Sequence, residues 1–153
     1  MVEDASMCKL SGGLLFRFKF LLFSLRDSFS SPVDTLVGMN LRPGFNVLDY
    51  GCGPGRYTVI AAEMVGVKGK VYALDLYPSA IDRVQKLAIE KGLKNIQTIL
   101  SDSTTGLSNA SVDFILLHKL SYPEVALREI YRVLQPHGIL YFIGHVIYIK
   151  AMK

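Results

Sequence analysis

Cysteine is scarce in this chain: Cys8 and Cys52 stand far apart and in no CxxC pairing. That excludes a zinc ribbon or a disulfide framework, and it fits a reducing, cytoplasmic setting. An excess of one charge is missing as well. Seventeen basic and 13 acidic residues leave a net charge of +4, and no polybasic block gathers it, so no nucleic-acid partner is expected. No His, Cys, Asp or Glu cluster has metal-ligand spacing, so no metal is expected either. Nor is there a long unbroken apolar run. The nearest, LLFRFKFLLFSL at 14–25, is broken by Arg17 and Lys19. It is too short to span a bilayer, and it lacks the charge placement and small-residue cleavage site of a signal peptide. No membrane span is expected. The segment suits packing on the domain or covering its ligand, and either a strand or a helix would give it a mostly apolar face.

What is present is the profile of a globular domain. Half of the 153 residues are apolar and a fifth are charged, enough to bury a core in one domain. Residues 1–40 read as an N-terminal apolar or helical segment that packs on a core domain of 41–153. In that segment SSPVDTLVGMNLRPG reads as a short helix capped by Ser31, with Pro32 in its first turn. Val33, Leu36 and Val37 are expected to hold it to the core.

From residue 44 onward, strand-like and helix-like segments alternate. Apolar runs at 46–50, 71–74, 96–100, 112–117 and 139–143 read as strands. Helical patterns cover 56–65, a stretch from Pro78 or Ser79 to the stop at Gly92, and 123–134. Ile81, Val84 and Ala88 share one helix face; Leu127, Ile130 and Leu134 share another, with Pro136–Gly138 as the stop. Strands apolar on both sides, joined by helical crossovers, predict an α/β fold with a doubly wound, mostly parallel sheet. Ligands in such sheets bind beyond the carboxyl ends of the strands. Asp49, Asp75, Asp102 and His118 each end or follow a different strand, so four strand ends bring polar groups to one edge.

One turn asks for an unusual backbone path. VLDYGCGPG places Gly51, Gly53 and Gly55 directly after the first strand. A glycine loop between strand and helix serves ligands that touch backbone. The dinucleotide fingerprint GxGxxG would need a glycine where Arg56 stands, which disfavours a nicotinamide-dependent oxidoreductase. Cys52 inside the loop reads as packing filler, since a reactive thiol needs a base or cation beside it.

VLDYGCGPG resembles motif I of the class I S-adenosylmethionine-dependent methyltransferases. VYALDLYP is similar to their second strand, ILSDS to the third, VDFILL to the fourth, and IYRVLQPHGILYFIG to the helix and fifth strand around their L+PGG turn. The blocks run in order over about residues 41–144, and the likeness is to small archaeal-type members of unassigned substrate. The resemblance implies a Rossmann-like sheet in the order 3-2-1-4-5, S-adenosylmethionine as cofactor, and methyl transfer to a small-molecule acceptor. It implies that Asp49 fixes the loop and the ammonium end of the ligand. Tyr50, Gly51, Cys52, Gly53 and Gly55 form the cradle, with loop amides facing the ligand carboxylate. Asp75 would accept from the ribose hydroxyls and Leu76 would lie on the adenine face. Asp102 would accept from the adenine amine, with the Ser103 amide nearby. His118 is placed beside the cofactor and is the candidate base; His137 faces solvent, and His145 could reach the substrate side.

The chain departs from the family in two places. HKLSY between fourth strand and following helix is short, and HVIYIKAMK cannot supply the family's usual strands six and seven. It could extend strand five or add one short piece. Strand five is then an apolar edge, covered by the N-terminal segment or by a second copy in a homodimer, or left bare in a shortened member. A truncated or degenerate binder of S-adenosylmethionine without independent activity is the second reading of the whole chain.

Overall fold

The computed structural model describes residues 31–118, 123–143 and 148–150. Cys8, His145 and the segment at 14–25 lie outside the described residues. Among the described residues four helices and six strands follow one another: α1 (Pro32–Gly38), β1 (Asn46–Tyr50), α2 (Arg56–Val65), β2 (Lys70–Asp75), α3 (Pro78–Glu90), β3 (Ile96–Leu100), β4 (Val112–Leu117), α4 (Pro123–Val133), β5 (Leu134–Phe142) and β6 (Tyr148–Lys150). The sheet order is β3-β2-β1-β4-β5-β6. The first five strands are parallel, in the expected order 3-2-1-4-5.

Side-chain alternation along the strands divides the core between two sheet faces. On one face Leu48, Tyr50, Ile115 and Leu117 pack under α4 with Ala126, Ile130 and Val133. On the other Val47, Val71, Phe114 and Leu116 meet Leu36 of α1 and Tyr57, Ala61, Ala62 and Val65 of α2. Ile81 and Val84 of α3 close on Cys52 and Ala73. Asp49 shares the Val47 face, which aims it at α2. Tyr50 points the opposite way.

Four expectations need correction. The sheet does not end at strand five: β6 pairs antiparallel with Ile139–Tyr141. It is the short piece that HVIYIKAMK could add, and it takes up part of the open hydrogen-bonding edge of β5. Second, Pro136–Gly138 does not separate helix from strand. β5 starts at Leu134, immediately after α4, and the PHG stretch is an irregularity within it: Leu134 aligns with Val112 but Ile139 with Phe114. His137 there has φ 65° and is exposed. Third, α4 turns small Ala126 to the sheet with Ile130 and Val133, leaving Leu127 46% exposed. Fourth, only Pro32 and Leu36 of the seven-residue α1 are buried; a helix that short offers one narrow inner stripe, and Val33 and Val37 face outward. Ser31 caps it as expected, accepting from the Asp34 amide at 3.5 Å.

Ala110, in the turn before β4, holds φ 49°, a left-handed conformation that costs an L-residue about 1–2 kcal/mol. Ala110→Gly should therefore stabilise the fold by about 0.5–1 kcal/mol after the entropy that glycine loses on folding. The urea midpoint measures this, and a lowered midpoint would contradict it.

Candidate functional site

At the carboxyl end of β1 the chain turns through Gly51, Gly53 and Gly55 with φ of 78°, 52° and 84°. Two of these glycines answer to different neighbours. A Cβ on Gly55 would stand 2.8 Å from Cγ2 of Val84, so this glycine lets α2 and α3 close together. A Cβ on Gly53 would meet nothing within 4 Å; its requirement is the positive φ, and its surface is open.

The loop amides are used within the fold. Gly51 N and Cys52 N both donate to Leu74 O, at 2.8 and 2.9 Å, and Gly55 N donates to Cys52 O at 3.1 Å. Gly53 N donates to Oδ2 of Asp75 at 2.9 Å, and Pro54 has no N–H. The expectation that these amides face a ligand carboxylate is therefore corrected: they are engaged within the fold, and the loop is a clamped turn.

Asp75, at the end of β2, is the other half of that clamp. Its Oδ1 accepts from the Tyr77 amide at 2.9 Å, closing an Asx-type turn into α3. Each carboxylate oxygen has a second lone pair to offer. Cys52 is 3% exposed. Burial first, then the carboxylates of Asp49 and Asp75, push its thiol well above the usual range. It is an inert filler beneath the turn.

Asp49 is fully buried. Thr58, on the first turns of α2, donates its hydroxyl to Oδ2 at 2.6 Å. His118, just past β4, brings Nε2 to 3.0 Å from Oδ1. That contact is close enough for a hydrogen bond but out of line for one, and both atoms are buried without another partner among the described residues. The His118 ring is braced by Tyr57, edge to face at 5.5 Å.

The remaining predicted residues stand farther out. Tyr50 sends its hydroxyl away from the glycines to the carbonyls of Asp102 and Ser103, at 3.3 and 3.2 Å. Its phenol is pushed up to about 12 by burial, with Asp102 and Glu129 adding to it. Tyr50 thus anchors the loop after β3 and contributes no side chain to the cradle. Asp102 is exposed and accepts from the Ser103 hydroxyl at 2.8 Å. Leu76 is 40% exposed beyond Asp75. The structure joins Asp49, Cys52, the glycines, Asp75 and His118 into one group; Asp102 and Ser103 connect to it through Tyr50.

Sequence reasoning missed Thr58 and the anchor of the β3–β4 loop. The signal for Thr58 was a hydroxyl amid the apolar residues of RYTVIAAEMV. In the loop, Thr105 donates its amide and hydroxyl to Oε1 of Glu129, at 2.8 and 2.5 Å. Arg132 grips the same carboxylate with Nε and Nη2. The Arg132 guanidinium chiefly, with help from Thr105 and against burial, holds Glu129 down at about 2 from an ordinary 4.5. A carboxylate lowered on folding stabilises above its unfolded value and loses that contribution as pH falls. Stability should accordingly decline between about pH 4.5 and about pH 2, and Glu129→Gln should flatten this limb while lowering the melting temperature at neutral pH. Parallel acid limbs in the two proteins would refute it.

A family model described as a methyltransferase domain matches residues 41–151. The chain belongs to the methyltransferase-domain family. This methyltransferase-domain chain is 33% identical over 103 residues to the protein-L-isoaspartate O-methyltransferase of Methanococcus maripaludis strain S2, covering 67% of this chain and 48% of that protein. It is 40% identical over 74 residues to aklanonic acid methyltransferase DauC of Streptomyces sp. strain C5, covering 48% and 34%. The crystal structure of a SAM-dependent methyltransferase from Aquifex aeolicus superposes with a TM-score of 0.69 at 34% identity, over 73% of this chain and 62% of that one. The methyltransferase-domain chain thus spans between a third and a half of these curated relatives' length. The matched region runs from before β1 through β6, so every strand end described above lies inside it. Among the described residues no helix is long and apolar enough to cross a membrane.

Proposed function

We propose that the chain binds S-adenosylmethionine across the turn at 51–55 and transfers its methyl group to a small-molecule acceptor. The observation that carries this reading is the open surface at Gly53, in the turn that follows the strand end bearing a buried carboxylate oxygen, Asp49 Oδ1, with no hydrogen-bond partner among the described residues. A cationic ligand end satisfies that oxygen without the cost of an unpaired buried acceptor. The residues fit the adenosyl half as well. Asp75 has lone pairs for ribose hydroxyls, Leu76 is an apolar surface for a base, and Asp102 offers an acceptor at the base edge, whereas the Ser103 amide expected beside it already donates to Ser101 Oγ at 3.3 Å.

When bound, S-adenosylmethionine supplies a methyl on a sulfonium leaving group, so the protein's share is alignment and exclusion of water. Asp49, with Thr58 fixing its other oxygen, orients the ligand; the clamped glycine turn holds its shape. The relative named for aklanonic acid supports a small acceptor, and the relatives named for protein isoaspartate make a protein acceptor the competing outcome. The same reading takes 41–153 as the working domain in a cytoplasmic protein. A second copy of the chain covers what β6 leaves of the β5 edge.

Calorimetric titration tests the site. S-adenosylhomocysteine should bind the folded chain and NADH should not, since Arg56 stands where a dinucleotide turn needs glycine. No heat with S-adenosylhomocysteine would overturn the proposal; binding without turnover on any acceptor would leave a cofactor-binding protein.

A further inference from the structure

We infer that Tyr50 is a positioning residue for base selectivity: its hydroxyl fixes the backbone at 102–103, so that the Asp102 carboxylate accepts a six-amino purine and rejects a six-oxo one. The inference rests on the proposed function and deepens it. It assigns the choice of base to a buried side chain set apart from the ligand surface.

Tyr50 ends β1, yet its hydroxyl works beyond β3. The order β3-β2-β1 puts β2 between them, and the ring lies in the core cluster that also holds Leu74 of β2 and takes Ile99 of β3. Tyr50 is 5% exposed, so packing sets its place. Burial pushes the phenol up to about 12, so at neutral pH the hydroxyl keeps one proton to donate. Two carbonyls share it, Asp102 O at 3.3 Å and Ser103 O at 3.2 Å.

The amides of the same stretch are held as well. Ser101 Oγ accepts from Ser103 N at 3.3 Å and from Thr104 N at 3.0 Å. The peptide joining Asp102 to Ser103 is thus bonded at both its carbonyl and its amide. Ser101 N in turn donates to Asp75 O at 3.0 Å, which places Asp102 on the same sheet edge as the carboxylate proposed for ribose.

Asp102 depends on that support. Its side chain is exposed, so no core packing directs it. Oδ1 accepts from the Ser103 hydroxyl at 2.8 Å, and Ser103 is the residue whose carbonyl Tyr50 holds. A recognition group has to be kept within about 0.5 Å of its working position, and here only the bonded backbone can do so. A carboxylate accepts hydrogen bonds and donates none. The exocyclic amine of adenine donates to it, whereas the oxygen of hypoxanthine at that position confronts it with a second acceptor. A fixed carboxylate separates the two bases; a loose one turns away from the mismatch.

Calorimetric competition between S-adenosylhomocysteine and its six-oxo analogue, S-inosylhomocysteine, tests this. The wild-type chain should favour the adenine ligand about tenfold or more, as expected for a hydrogen bond to a charged group. Tyr50→Phe keeps the ring and removes only the hydroxyl. It should cut that preference by about three- to tenfold, through weaker adenine binding, while the affinity for S-inosylhomocysteine stays within about twofold of wild type. Ser101→Ala releases the two amides and should do the same; it serves if Tyr50→Phe does not fold. In an Asp102→Ala background Tyr50→Phe should change neither affinity, because the hydroxyl acts through that carboxylate. An equal loss for both ligands would make Tyr50 a structural residue and overturn the inference. An unchanged preference in a folded variant, or a wild-type chain that binds both ligands alike, would overturn it too. Failure of the wild-type chain to bind S-adenosylhomocysteine would instead break the proposed function.

Discussion

Alanine at position 55 should lower stability by about 2–5 kcal/mol, the sum of a left-handed alanine and an overpacked contact. Gly55 holds φ 84°, and the added methyl would press on Val84 at 2.8 Å. Neither problem is relieved by a side-chain rotation, because Val84 is fully buried in α3. The substitution also separates α2 from α3 and so displaces Thr58 from Asp49, which should cost S-adenosylhomocysteine affinity in any chain that still folds. Urea denaturation of Gly55→Ala, Val84→Ala and the double variant separates the two causes. Shortening Val84 should return about 1 kcal/mol in the double variant through coupling between neighbours. Strict additivity would show that the backbone conformation alone sets the cost.

Asp75→Ala should weaken S-adenosylhomocysteine binding about a hundredfold or more, given that hydrogen bonds to a charged group contribute about 1.5–3 kcal/mol each. The expectation now has two origins. Besides the contacts proposed for ribose, Asp75 ties the Gly53 amide and the Tyr77 amide within the fold. Removing it loosens the surface on which the ligand lies and leaves two donors unpaired. Asp75→Asn should do nearly as much damage, because its NH₂ would confront one of those two amides. Titration calorimetry gives the affinities; wild-type binding in either variant would mean that the site lies elsewhere.

The regular part of the fold was legible because its signals are local. α2 spans Arg56–Val65, bounded by Gly55 and Gly66, and β3 and β4 are apolar runs between polar turns. β5 was misread for an equally physical reason. Pro-His-Gly has the composition of a turn, but here it is an excursion that the parallel ladder resumes after. The inner faces of α1 and α4 were misassigned where periodicity allowed two stripes: Leu36 is buried and Val33 and Val37 are exposed, and Ala126 is buried while Leu127 is exposed. At the site, strand ends and glycines could be read from order alone. The Thr58–Asp49 bond could not, since nine residues and a turn of three glycines separate the partners. The use of the loop amides was also out of reach, because the acceptors, Leu74 O and Asp75, come from the next strand.

Those amides carry a kinetic and calorimetric consequence. Positions 51, 52 and 53 are all tethered to residues 74–75 before any ligand arrives. The cradle's shape is fixed when the sheet forms, so its amides should exchange with deuterium as slowly as the strands beside them. Association then needs no prior ordering of the turn, and the heat of binding reports ligand contacts and released water with little folding of the loop mixed in.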